Sequence, residues 1–200
     1  MSFIDDDEYI YVKNNSISND VCDNLIELFE NGASHLVYDG VTHGGTVSEI
    51  KKTRDLLLFP SINKYDEELF KELTLNISTY FNNISKKYGN GMIPLRNTND
   101  TGFQIQKYIA NHGLYNYHHD TYFIKNNNSY TQMRILSFIW YLNTVDEGGE
   151  TEFFNGRLKI KPEKGKFLIF PATWTYIHRG SMPISGDKYI LTGWVNADIW

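Results

Sequence analysis

From residue 103 onward the chain breaks into short apolar runs separated by turns: FQIQKYIA, RILSFIWYL, TEFF, RLKIK, KFLIFPA and KYILTGWV. Each is rich in β-branched and aromatic residues and bounded by polar or glycine-containing stretches such as KNNNSY and NTVDEGGE, so each predicts a strand. Short strands in series with no helix between them predict antiparallel β structure, a sandwich or a barrel. The first half has a different texture. In NDVCDNLIELFENG, Val21, Leu25, Leu28 and Phe29 recur at helical spacing, with Asn19 or Asp20 to cap the start and Gly32 the end. In YDEELFKELTLNISTYFNNISKKYG, the residues Leu69, Leu73, Ile77, Tyr80, Phe81 and Ile84 form one stripe, closed by Gly89. Between these helices YDGVTHGGTVSEIKKTRDLLLF is glycine-rich and polar until residue 55, which predicts a mobile loop over residues 38–55.

A length of 200 residues suits a single domain, and 41% hydrophobic content gives it enough apolar side chain for a sizeable core. The net charge of -5 argues against a nucleic-acid backbone as the main partner. Cys22 is the one cysteine, so no intrachain disulfide framework is expected. The N-terminus shows no secretory signal and no apolar run reaches membrane-spanning length. The expectation is a soluble cytoplasmic protein with no membrane partner.

The stretch YNYHHD sets two histidines ahead of an aspartate. Strand side chains alternate between faces, so His118 shares a face with Asp120 while His119 points the other way. Alone, this pattern also fits a polar strand end with a hydrogen-bonded pair. A third candidate ligand, His178, is the one histidine downstream of residue 120. Two histidines and one carboxylate on one face of a metal leave positions open for further ligands, the arrangement of non-heme Fe(II) oxygenases. Zinc is the second candidate metal, but the helical His-Glu-x-x-His of many zinc hydrolases is absent.

The pattern His118-x-Asp120, then His178 and Lys188 beyond it, resembles the Fe(II)/2-oxoglutarate dioxygenases, and in particular the prolyl 4-hydroxylase-like branch. QIQKYIANHGLYNYHHD, RILSFIWYLNTVDEGGETEF, IKPEKGKFLIFPATWTYIHRG and GDKYILTGW are similar in order and spacing to that family's motifs, closely over residues 103–196 and loosely in the helical part. The resemblance implies an α+β, mainly β fold: a double-stranded β-helix (a jelly-roll or cupin-like barrel) over 103–196. Residues 1–100 would form the helical N-terminal part, packed on one sheet and carrying a substrate loop at about 38–55, within one domain, 1–200.

It also implies the site. Fe(II) would be held by His118, Asp120 and His178, and Lys188 would pair the distal carboxylate of 2-oxoglutarate. Alternation places Lys188, Ile190, Thr192 and Trp194 on one wall, and gives Tyr108 the same face of its own strand as Gln104 and Gln106. Tyr108 and Tyr141 would donate to the co-substrate carboxylate, with Thr192 a further candidate; otherwise each tyrosine is a core aromatic with a satisfied hydroxyl. Arg54, Arg134 and Trp194 are candidates to meet substrate. Gly148 and Gly149 are read as turn formers, and His35, His43, His112 and His119 as surface or supporting residues. The implied reaction consumes O2 and 2-oxoglutarate, releases succinate and CO2, and hydroxylates an unactivated C–H, with ascorbate as an accessory reductant. A proline-containing peptide or protein is the implied substrate. A free amino acid or other small molecule is the alternative, and a nucleic acid a more distant one, since residues 178–200 offer only Arg179 and Lys188 as cations.

Overall fold

A computed structural model of the chain describes residues 2–4, 7–42, 45, 49–89, 97–126 and 129–199. The N-terminal part supplies strands β1 (Ser2–Ile4) and β2 (Asp7–Lys13), then helix α1 (Asn19–Glu27), which continues as a π-turn over Leu28–Gly32. Strands β3 (Tyr38–Asp39), β4 (Lys51–Lys52) and β5 (Arg54–Leu58) follow, and then helix α2 (Asp66–Tyr88). The C-terminal part contains β6 (Asn99–Asp100), β7 (Phe103–Tyr108), β8 (Leu114–His118), β9 (Phe123–Asn126), β10 (Ser129–Tyr141), β11 (Thr151–Phe153), β12 (Leu158–Ile160), β13 (Phe167–Pro171), β14 (His178–Gly180) and β15 (Lys188–Asp198).

These strands form two antiparallel sheets. The larger runs β1-β2-β13-β10-β15-β7-β5-β3, with β6 on β15 and β9 on β10; the smaller runs β12-β11-β14-β8-β4. The larger sheet is covered on both faces, which explains why its central strands read as unbroken apolar runs. Phe138 and Trp140 of β10, and Leu142 just after it, face the helices, together with Phe167 and Ile169 of β13 and Leu191 of β15. The alternate residues Ile139, Tyr141, Leu168, Phe170 and Ile190 face the smaller sheet and pack on Phe153 and Ile160. The helices close the first core with the predicted stripes, Val21, Leu25 and Phe29 from one and Leu69, Leu73, Tyr80 and Ile84 from the other.

Two expectations need correction. Helix α1 is capped by Ser18, whose side chain accepts from the Val21 N–H at 3.2 Å, not by Asn19 or Asp20. Ser18 is still extended (φ -70°, ψ 157°), the backbone a cap requires, whereas the next two residues are already helical. The segment 1–100 is also less helical than expected. β2 pairs with β13 and β5 with β7, so this part adds strands to the larger sheet as well as helices over it. Within the expected loop 38–55, residues at both ends lie in ladders: Tyr38 and Asp39 pair with Asp55 and Arg54, and Lys51 and Lys52 with Tyr115 and Leu114. The middle of that loop, with His43, and the centre of KNNNSY lie outside the described residues. Gly89 ends α2 as predicted, with φ at 93°. Among the described residues no helix is long and apolar enough to cross a membrane.

Gly193 shows how closely the larger sheet is packed on its helix side. A Cβ there would collide with the Gly102 carbonyl and the Phe138 ring. Gly193→Ala is therefore expected to destabilise the fold by about 1–3 kcal/mol, as overpacked cores do. A lower midpoint of urea unfolding with an unchanged slope is the result to look for.

Candidate active site

The two sheets meet around one polar cluster. β14 and β8 are neighbours in the smaller sheet, and their register sets His178 directly opposite His118. Asp120 follows two residues after His118 and points the same way, as the alternation required. His118 Nε2 lies 3.5 Å from one Asp120 carboxylate oxygen and His178 Nε2 lies 3.6 Å from the other. The three ligand atoms all fall within 4.8 Å of one another. Donors about 2.1 Å from a shared ion, at right angles, would be about 3 Å apart, so a small inward movement closes the set on a metal.

The far side of each ring shows how the site is tuned. His118 Nδ1 is 2.7 Å from the Asn116 carbonyl and His178 Nδ1 is 3.0 Å from the Tyr176 carbonyl. A carbonyl only accepts, so each Nδ1 carries the proton and each Nε2 presents a lone pair to the cluster. Burial pushes His178 down to about 4, the neighbouring His118 adding to this and Asp120 opposing it, so its imidazole stays neutral. Burial also works against the Asp120 carboxylate, but His178, His118 and the Ser137 hydroxyl outweigh it and hold its pKa well below the usual range. Ser137, on β10 of the opposite sheet, donates to Asp120 at 2.6 Å. A neutral His178 imidazole, an ionised Asp120 carboxylate and ring orientations fixed by backbone carbonyls suit a divalent cation. The residues present fit the metal.

Lys188 is 1% exposed and lines the same cavity. Its Nζ donates to the Gly149 carbonyl at 2.9 Å and lies 3.9 Å from the centre of the Tyr108 ring. Gly149, with φ at 75°, is a turn former as expected, and its carbonyl serves the lysine as well. Tyr108 and Thr192 line the cavity. The Thr192 hydroxyl donates to the Phe138 carbonyl at 2.8 Å. Tyr141 stands behind the wall, donating to Thr151 Oγ1 at 2.6 Å, and it is Thr151 that reaches the cavity.

Beside the cluster a groove of about 480 Å³ opens, bordered by Val41, Leu57, Tyr122, Arg134 and Trp194. Arg134 owes its place there to a β-bulge. The register of β10 against β15 slips between Arg134 and Leu136, leaving Ile135 as the extra residue. Regular alternation would put Arg134 on the helix side with Leu136; the bulge turns it to the groove and sends Ile135 to the helix-side core instead. The guanidinium lies 3.8 Å from the Trp194 ring centre and 5.0 Å from that of Tyr122, with no carboxylate partner among the described residues. Arg54 is elsewhere: it pairs with Asp39 at 2.7 Å on the other face of β5 and does not border the groove.

Sequence reasoning missed four residues that complete the site. Tyr115 stacks on His118 at 3.6 Å between ring centres, Phe170 meets the edge of His178 at 4.7 Å, and Ser137 and Thr151 are described above. Ser137 carried a signal, a lone hydroxyl in the middle of a run buried on both faces. The others had none beyond their motifs.

Two antiparallel sheets with a two-histidine, one-carboxylate cluster between them resemble the non-heme metal oxygenases. Residues 103–196 match the family model described as the 2OG-Fe(II) oxygenase superfamily. Over those residues the chain is similar to that superfamily, and it is prolyl 4-hydroxylase-like. It is 32% identical over 127 residues to a probable prolyl 4-hydroxylase of Arabidopsis thaliana, covering 52% of this chain and 43% of the plant protein. This chain thus matches less than half the length of that relative. It is 27% identical to a putative prolyl 4-hydroxylase of Acanthamoeba polyphaga mimivirus, over 92% of this chain and 72% of the other. In fold it resembles the viral collagen prolyl hydroxylase of Paramecium Bursaria Chlorella virus-1, described as a 2OG complex, with a TM-score of 0.68 at 21% identity over 96% and 98% of the two chains. The double-stranded β-helix expected from the sequence is the fold that these neighbours share.

Proposed function

We propose that the chain is an Fe(II)- and 2-oxoglutarate-dependent dioxygenase that hydroxylates peptidyl proline and releases succinate and CO2. The observation that carries this is the joint placement, in one cavity, of a converging His118–Asp120–His178 set and a buried Lys188. His118, Asp120 and His178 would hold the iron, which when bound supplies the activation of O2. Lys188 would fix the distal carboxylate of the co-substrate, with Tyr108 and Thr192 beside it and Thr151, backed by Tyr141, on the same wall. Ser137 fixes the carboxylate of Asp120, and Tyr115 and Phe170 keep the imidazole rings in place while excluding water. The groove of about 480 Å³, lined by both polar and apolar side chains, leaves room for a peptide segment beside the cluster. Arg134, steadied by Tyr122 and Trp194, would meet a carbonyl or carboxylate of that peptide.

The test is mass spectrometry of a proline-containing peptide library incubated with iron and 2-oxoglutarate, with free amino acids in parallel. A gain of one oxygen on a prolyl residue supports the proposal. Succinate formation with hydroxylation of free amino acids alone would move the substrate to the small-molecule class, and no succinate under any condition would remove the activity.

The co-substrate assignment has a pH consequence. Without a bound anion, burial pushes Lys188 down to about 7, with Glu150 pulling the other way. A bound dicarboxylate favours the ammonium, so the complex holds a proton that the free protein has lost above pH 7. Affinity for 2-oxoglutarate should therefore be flat below that point and fall above it, by up to about tenfold per pH unit. Calorimetric titrations between pH 6 and 9 check this, and proton uptake on binding in the upper range is the accompanying sign.

A further inference from the structure

Gln104, Gln106 and Tyr108 share one face of β7, and the proposed site uses only the last of them. They are joined in a single file. Tyr108 Oη donates to Gln106 Oε1 at 3.3 Å, Gln106 Nε2 donates to Gln104 Oε1 at 2.8 Å, and Gln104 Nε2 donates to Tyr38 Oη at 2.7 Å. The file starts under Lys188 in the closed interior, where Gln106 is 4% exposed, and ends on β3, where Tyr38 is 37% exposed. β3 leads directly into Val41 and Thr42, which border the groove. All three donors point the same way, from the cavity toward the surface.

Such a file has two internally consistent directions. A phenol has one O–H, so Tyr108 can donate to Gln106 or to a co-substrate carboxylate, but not to both. When it turns to the carboxylate, the buried Gln106 Oε1 loses its donor. Rotating the Gln106 amide by half a turn restores the bond by offering Nε2–H to Tyr108 Oη, and it leaves Oε1 facing Gln104. Gln104 must then rotate as well, and its Oε1 takes the Tyr38 O–H. No heavy atom needs to leave its place, because amide oxygen and nitrogen are nearly the same size. The buried groups stay satisfied only if the whole file reverses.

We propose that Gln106 and Gln104 are positioning residues that carry the occupancy of the co-substrate site to Tyr38 beside the groove by reversing this hydrogen-bond file. The proposal rests on the assignment of 2-oxoglutarate to the Lys188–Tyr108 end. Tyr38 accepts when that end is empty and donates when it is filled, so the strand entering the groove wall is anchored differently in the two states.

The experiment uses the full chain loaded with zinc, which prevents turnover, and labelled with 3-fluorotyrosine. The Tyr38 fluorine resonance is identified by its loss in Tyr38→Phe. Calorimetry follows 2-oxoglutarate binding on the same samples. The parent should show a shift of the Tyr38 resonance that saturates with binding. Gln104→Leu, which cuts the file, should bind 2-oxoglutarate within about threefold of the parent, as separated sites do, yet lose the shift. Gln104→Glu keeps the size of the side chain but only accepts, so Tyr38 donates in both states and its resonance should no longer respond. Binding in the parent without a Tyr38 shift, or an equal shift in Gln104→Leu, overturns the proposal. Absence of 2-oxoglutarate binding in the parent overturns the co-substrate assignment itself, and calorimetry reads that failure separately.

Discussion

Replacing His118 by alanine is expected to abolish iron binding and reduce turnover to background, while His119→Ala leaves the iron content nearly unchanged. The two residues are adjacent and chemically identical, so the difference is entirely one of direction. His118 sits at the end of β8, directly across from His178, with Nδ1 held by a backbone carbonyl and Nε2 turned to Asp120. His119 faces the groove instead. Asp120→Ala and His178→Ala should behave like His118→Ala. Ser137→Ala is the graded case: removing a hydrogen bond behind a ligand typically weakens metal affinity about 10–100-fold without abolishing it. Metal content after dialysis against a series of buffered Fe(II) concentrations separates these outcomes. Loss of iron in His119→Ala alone would mean that the strand is in the opposite register.

The shared direction of His118 and Asp120 was legible because strand alternation is a local rule and the motif lies at a strand end. Lys188 was legible for the same reason, since Ile190, Thr192 and Trp194 follow it at the same period along β15. Arg134 shows where the rule stops. Its side chain reaches the groove only because Ile135 bulges, and a bulge is set by the partner strand, which a linear sequence does not display. β2 was hidden differently: Ile10 and Tyr11 face opposite cores, so the strand has no polar face to alternate with and sits behind a run of acidic residues. Arg54 was placed by its position after a glycine-rich stretch, but β5 alternates Asp55 toward the site side and Arg54 away from it. Tyr141 was right in neighbourhood and wrong in reach, standing one side chain behind Thr151.

Lys188→Ala should weaken 2-oxoglutarate by about two to three orders of magnitude. Among the described residues the Lys188 side chain is one of the most deeply buried polar groups, 1% exposed, and its contacts are a carbonyl and the face of a tyrosine ring, with no carboxylate within ion-pair distance. Its own burial is therefore poorly compensated until an anion arrives. Truncation would leave the distal carboxylate of the co-substrate desolvated and unpaired, and removing one partner of a buried pair costs about 3–5 kcal/mol. At about 1.4 kcal/mol per tenfold change, that gives the stated loss. Iron binding should survive, because Lys188 lies on β15 of the larger sheet while the histidines lie on β8 and β14 of the smaller one. Lys188→Arg should rescue in part only. A longer planar fork carries its donors further out and does not fit a pocket in which a compact ammonium reaches the Gly149 carbonyl. The measurement is an anaerobic titration of the iron-loaded variants with 2-oxoglutarate, following the metal-to-ligand charge-transfer band. A Lys188→Ala variant that binds as tightly as the parent would place the distal carboxylate against another cation, and the cavity wall formed by β15 would lose its role.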